Sequence, residues 1–257
     1  MRRTVRLLAL GWIFHLKMAS RSAFDGLLAV LWPLFFATVA FFMFGQSKSS
    51  EPLVYASLGA AVMGVWTATS VPSASALQRA RWHGTLELQV AAPVHFSLVL
   101  LPMTIATATI GVYCMATTLL WGRLLFGIPL PIEHPLLFAL SIPATIVSIG
   151  MLGFLLAVSV VRYRTAWSIG ATLEYPVWLV CGFLVPLSLF PAWVRPISWA
   201  LAPTWGISAV RESALGGSPL PDLLVCVALG VGYVLFGVLI LERVLRSARK
   251  TAALALA

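Results

Sequence analysis

Charge is what this sequence has least of. Only 10% of its 257 residues are Asp, Glu, Lys or Arg, against about 25% in a soluble globular domain. With 60% hydrophobic residues, the deficit excludes an ordinary soluble fold and places the chain in the membrane class. Cysteine is also sparse. Cys114, Cys181 and Cys226 each lie inside an apolar run and no two form a CxxC, so they read as packing residues rather than a disulfide or metal framework. There is no GxxxxGK[ST], HExxH or GxSxG, so no phosphate loop, catalytic residue or metal ligand is assigned. His15, His83, His95 and His134 are scattered through interface regions. The net charge of +9 would suggest nucleic acid in a soluble chain. Here the basic residues lie mostly in short loops, so they report membrane topology and no nucleic acid is implied.

What is present is a series of long apolar runs. A spanning helix needs about 20 mostly apolar residues. Six runs qualify, at about 24–45, 53–75, 96–121, 136–161, 166–189 and 222–241. They consume most of the chain, which predicts a single all-α membrane domain over residues 1–257. With both termini cytoplasmic, the inside basic residues are Arg2, Arg3, Arg6, Lys17, Arg21, Arg79, Arg81, Arg162, Arg164, Arg243, Arg246, Arg249 and Lys250. Lys48, Arg123, Arg195 and Arg211 fall outside. Thirteen against four orients the chain by the positive-inside rule.

The N-terminal segment, about 1–22, lacks the uninterrupted apolar stretch of a signal peptide. Wound as a helix, it gathers Arg2, Arg3, Arg6, Lys17 and Arg21 within an arc of roughly 100°. Val5, Leu8, Ala9, Trp12 and Leu16 lie on a neighbouring arc. Two readings stand: an amphipathic helix on the anionic inner leaflet, where membrane lipids are its partners, or a basic flank that only sets topology. Small residues at four-residue spacing, Ala60/Gly64, Thr107/Gly111 and Gly153/Ala157, allow close helix approach. Glu174 is the one ionisable residue well inside an apolar run, followed by Pro176. It would sit roughly 12 Å from the cytoplasmic end of its helix. It reads either as a polar site on a translocation path or gate, or as a structural carboxylate between helices.

Two further segments carry information. RARWHGTLELQVAAPVHF, residues 79–96, separates the second and third runs. Gly84 or Thr85 starts a helix of about two turns, with Glu87 in its first turn and Pro93 closing the segment. A lone strand there would leave unpaired edges. The short helix would present Arg81, Glu87 and Gln89 to the cytosol, a surface suited to a soluble partner. The stretch 183–219 is apolar yet broken by Pro186, Pro191, Pro196 and Pro203, with Trp193, Trp199 and Trp205 every six residues. Thr204 as N-cap and Gly216–Gly217 as stop would bound a short helix carrying Arg211 and Glu212. The stretch reads as two short helices dipping into the outer leaflet over about 190–216, or as an external loop with interfacial tryptophans.

Taken together, six spans, GTLELQVAAPV between the second and third, and GFLVPLSLFPAWVRPISWALAPTWGISAVRE after the fifth resemble the permease subunits of ABC-2 type exporters. The flavour is that of daunorubicin-resistance permeases, and the resemblance covers roughly residues 50–245. It implies that 84–93 is the coupling helix, seated in a groove of a separate ATPase subunit, with Glu87 as its polar contact. It implies that Pro186 to Arg211 form an external re-entrant helix pair. The family often has Asn before the proline matched to Pro203, where this chain has Ala202. The resemblance further implies a homodimer, or a pair with a closely related permease, working with two ATPase subunits that hold the ATP and Mg. The setting would be the plasma membrane of a prokaryotic-type cell. The chain itself would hold no cofactor and move a hydrophobic or amphipathic substrate (a drug, lipid or natural product) outward. A stand-alone carrier or channel would want more intramembrane polar residues than Glu174. A lipid-modifying enzyme would want a carboxylate or histidine cluster.

Overall fold

The computed structural model describes residues 2–19, 21, 23–44, 51–82, 84, 88, 94–130, 132–159 and 166–251. Among them there is no strand. In hydrocarbon every backbone donor must be satisfied within its own segment, which leaves the helix as the element for isolated apolar runs. The helices are α1 (Arg2–Ala19), α2 (Ala23–Phe44), α3 (Glu51–Ala74), α4 (Ala76–Trp82), α5 (Ser97–Phe126), α6 (Pro135–Ser159), α7 (Ala166–Val180), α8 (Val194–Trp199), α9 (Ala202–Leu215) and α10 (Pro219–Thr251). A 3₁₀ turn at Leu187–Leu189 lies between α7 and α8.

Four of these are long and apolar enough to cross a membrane: Glu51–Ala74, Ser97–Phe126, Pro135–Ser159 and the Pro219–Arg243 part of α10. Successive long helices run in opposite directions. One end of the bundle collects the start of α5 and the end of α6 around α4, where Ala76 and Ala80 bury against Phe96, Leu100, Phe154 and Leu241. The opposite end joins the start of α3, the α5–α6 connection and the end of α9. There the Tyr55 hydroxyl donates to Gly182 O at 3.3 Å, and Glu133 N–H donates to Ala214 O at 3.2 Å.

The central element is α3, buried along most of its length and packed on α2, α5, α6, α7 and α9. Its small residues make that possible. A Cβ on Gly111 of α5 would lie 2.6 Å from Val65 Cα of α3, so the two backbones approach as closely as glycine permits. By contrast α10 turns Leu224, Val231, Leu235, Phe236 and Leu239 outward, as a lipid-facing helix does.

The run at 166–189 does not form one helix. Its described helix, α7, runs from Ala166 and stops at Val180, within the apolar run. Gly182 adopts φ +71, which glycine tolerates. Phe183 N–H returns to Trp178 O and Gly182 N–H to Leu179 O, the paired bonds of a Schellman stop. The space beyond is filled by α8 and α9. The Tyr233 hydroxyl donates to Ala200 O at 2.6 Å and accepts from Ala202 N–H at 2.8 Å. Tyr233 lies 14 residues into α10, about 21 Å along its axis. The α8–α9 corner is therefore deep beside α10, while the other end of α9 returns to the bundle end at Gly216.

A Cβ on Gly59 would fall 1.6 Å from Phe183 O and 2.6 Å from Arg211 Nη2. Gly59→Ala should therefore force the α7 terminus off α3, at about 1–3 kcal/mol for overpacking. Gly232→Ala, with nothing within 4 Å, should be neutral or gain up to about 1 kcal/mol of helix propensity. Thermal unfolding in detergent compares the two. Equal midpoints for both variants would contradict the close approach at Gly59.

Candidate functional site

The most constrained point of the molecule is Arg211 in α9. It is 7% exposed. Its Nη1 donates to Gly182 O at 3.0 Å, and its Nη2 donates to Tyr55 O at 3.1 Å and to Phe183 O. Its guanidinium carbon sits 3.3 Å from the centre of the Tyr55 ring, a cation–π contact. Three chain segments that are far apart in sequence thus meet at one side chain: the first turn of α3, the terminus of α7 and the middle of α9. The acceptors at Gly182 and Phe183 are carbonyls just past a helix end, where a cation complements the dipole. The absence of a side chain at Gly59 leaves Tyr55 O open to Arg211.

The surrounding region follows from its prolines and tryptophans. Pro186 caps the 3₁₀ turn, Pro191 is exposed and Trp193, 69% exposed, occupies the N-cap of α8. Thr204 is not the N-cap of α9. The helix begins at Ala202 with Leu201 as N-cap, because Pro203 in the first turn already has helical φ and needs no donor. Ala202 N–H is one of the orphan donors of a helix start, and the Tyr233 hydroxyl takes it. Tyr233 thereby does from α10 what a polar side chain beside Pro203 would do locally. Gly216 ends α9 with φ +91, as its sequence suggests.

Glu174 is half-buried on α7 and faces Thr67 of α3. Pro176, two residues on, is exposed. The neighbouring α2 and α7 share an aromatic cluster: the Phe36 ring lies 4.9 Å from Trp178 and 6.3 Å from Tyr175, all edge-on. Phe35, Phe42, Tyr175 and Leu179 of the same two helices are exposed. Glu174 thus sits at the margin of an open apolar face rather than in the core.

At the α4 end, Gly84 is exposed with φ +65, a turn conformation that glycine tolerates. Leu88 is helical and 74% exposed. Glu87, Gln89 and Pro93 lie outside the described residues, as does the Arg81 side chain. In α1, Arg6, Lys17 and Arg21 beyond its end are exposed; the Arg2 and Arg3 side chains lie outside the described residues. Trp12 Nε1 donates to Thr109 Oγ1 of α5 at 3.0 Å, and Gly11 meets Pro102. The face of α1 turned to α5 keeps part of the expected apolar arc: Leu8, Trp12 and Leu16 are half-buried, while Val5 and Ala9 are exposed.

Arg211→Lys should not restore the cluster, since an ammonium lacks the planar fork that reaches separate carbonyls. Unsatisfied buried acceptors cost about 1–3 kcal/mol each. Thermal unfolding should drop clearly for Arg211→Lys, and the buried thiol of Cys181 should become reactive to maleimide. Wild-type stability with an unreactive thiol would show that the cluster does not hold α9 in place.

No curated protein matches the chain. The family described as ABC-2 type transporter matches residues 6–215, most of the chain and every helix from α2 to α9. The chain therefore belongs to the ABC-2 type transporter family, as a membrane-embedded transport subunit.

Proposed function

We propose that the protein is the permease subunit of an ATP-binding-cassette exporter of the daunorubicin-resistance flavour. It moves a hydrophobic or amphipathic compound outward, driven by ATP and Mg held on two separate ATPase subunits. It works as a homodimer or with a closely related permease in a prokaryotic-type plasma membrane, both termini inside. In this reading α2 and α7 complete six spans, and 84–93 is the coupling helix.

The observation that carries the reading is the family match over residues 6–215. The fold supports the finer points. The alternation of helices brings α4, the start of α5 and the end of α6 to one end, and the basic segments adjoin that end in sequence. The position of the α8–α9 corner, beside Tyr233 and about 21 Å along α10, suits a re-entrant pair. The open aromatic face of α2 and α7, with Glu174 at its margin, suits the side turned toward a second permease and the substrate path.

Two measurements test this. Glu87→Arg should leave the permease inserted yet reduce co-purification of the ATPase, or uncouple its hydrolysis from transport. Arg195→Glu on exposed α8 should do neither. Normal assembly of Glu87→Arg alongside failure of Arg195→Glu would reverse the orientation. Separately, Glu174→Gln keeps most hydrogen-bonding capacity while removing charge. It should preserve assembly and alter transport rate; unchanged kinetics would make Glu174 structural.

A further inference from the structure

Much of the apolar arc of α1 is used inside the molecule. Leu8, Trp12 and Leu16 are half-buried on the side turned to α5, where Trp12 is tied to Thr109. The face left outside has another make-up. Arg6, Leu10, Ile13, Phe14 and Lys17 are all exposed and, wound as a helix, share an arc of roughly 100°. Arg21, beyond the helix end, is exposed as well. Cations and apolar side chains are interleaved along this face, and α1 contains no acidic residue. A helix that lies flat on a leaflet separates the two kinds onto opposite faces.

Beside this face a groove of about 310 Å³ opens between α1 and the start of α5, at the lower end of small-molecule sites. Leu7, Leu10 and Phe14 line one wall, and Val94, Leu98 and Val99 the other. The helices meet next to it, where a Cβ on Gly11 would lie 3.1 Å from Pro102. His15 is the one polar side chain in the lining. Burial holds its imidazole below the usual range, so it is neutral at pH 7 and the lining carries no charge. Leu10 and Phe14 belong both to the groove and to the mixed face. Arg6 lies one turn before Leu10, and Lys17 one turn after Phe14, so the two cations bracket the groove along its rim.

We propose that this groove holds an acyl chain of one anionic phospholipid, whose head group is met by Arg6 and Lys17. A neutral lipid makes no use of the cations, and a soluble anion makes no use of the groove; an anionic lipid uses both. A basic helix resting on an anionic leaflet attracts many lipids without stoichiometry, whereas a groove of this size takes one. The inference needs the membrane setting and the seating of α1 on α5. It is independent of the cargo and direction of transport, so its failure leaves ATPase assembly untouched.

The test is native mass spectrometry of the purified full chain in non-ionic detergent, titrated with three probes. These are dioleoylphosphatidylglycerol, dioleoylphosphatidylcholine, which has the same chains without net charge, and glycerol 3-phosphate, which has no chain. Phosphatidylglycerol should saturate at one lipid per chain and bind at least about tenfold more tightly than phosphatidylcholine, the scale set by two interfacial cations. Arg6→Gln combined with Lys17→Gln should bring the two lipids to equal affinity. Leu10→Ser combined with Phe14→Ser should weaken both lipids alike. All four side chains are exposed, so the fold should survive; Lys17→Gln alone should narrow the difference if the double variant does not fold. Glycerol 3-phosphate should fail to displace the lipid. Equal affinities for the wild type, lipid addition without saturation, full preference retained in a folded variant lacking the cations, or displacement by glycerol 3-phosphate would overturn the proposal.

Discussion

The structure depends on how the backbone at the end of α7 is satisfied. A helix that stops at Val180 leaves its last carbonyls without intrahelical donors, and here the chain beyond it packs into the bundle at Cys181 and Phe183. The Schellman turn at Gly182 supplies some partners. Arg211 supplies the donors for Gly182 and Phe183 themselves. Desolvating a guanidinium costs several kcal/mol, and the bonds it makes repay that only when the geometry is complete. The gain is therefore chiefly positional: α9 has one register against α3 and α7 at which all three carbonyls are met.

That positional demand explains the composition around it. Gly59 must lack a side chain, because the Phe183 carbonyl and the guanidinium occupy the space a Cβ would take. Tyr55 must present a ring face and a carbonyl together, which its place in the first turns of α3 allows. Tyr233 then fixes the opposite end of α9 from α10. The short helix is thus held twice, by its own Arg211 on carbonyls of α3 and the α7 terminus, and at its start by the Tyr233 hydroxyl of α10. The apolar contacts of α3, α5 and α6 give the bundle its cohesion, yet they are non-directional and would tolerate α9 sliding by a turn.

How much of this the sequence announced depends on the range of the interaction. Apolar runs at 53–75 and 136–161 became α3 and α6 within two residues, because span length is written locally. The stop at Gly216 was equally local. The end of α7 was not: the apolar stretch continues through Phe183–Val185, and only the distant Arg211 makes an early stop tolerable. Gly182, four residues before Pro186, carried the hint. Arg211 was counted as an external charge, since nothing in a one-dimensional pattern pairs residue 211 with residue 55. Thr204 reads as an N-cap because a hydroxyl is the usual local solution, whereas the helix starts two residues earlier, at Ala202, whose N–H is served by Tyr233.

The same cluster constrains how the molecule can move. α3 is enclosed by neighbours along most of its length, and a close-packed helix transmits displacement rather than absorbing it. α7 is different: one flank is open, and Pro176 removes a backbone bond inside it, so it can bend between Glu174 and its terminus. Arg211 ties the far end of both helices to α9. A displacement of α3 from the α4 end therefore either carries α9 with it or breaks charge-assisted bonds at three carbonyls. Prolines also lie inside α2, α3, α5 and α6; what sets Pro176 apart is its place on the open flank, two residues from Glu174 and beside the aromatic face of α2, where a change of helix shape alters the surroundings of a carboxylate.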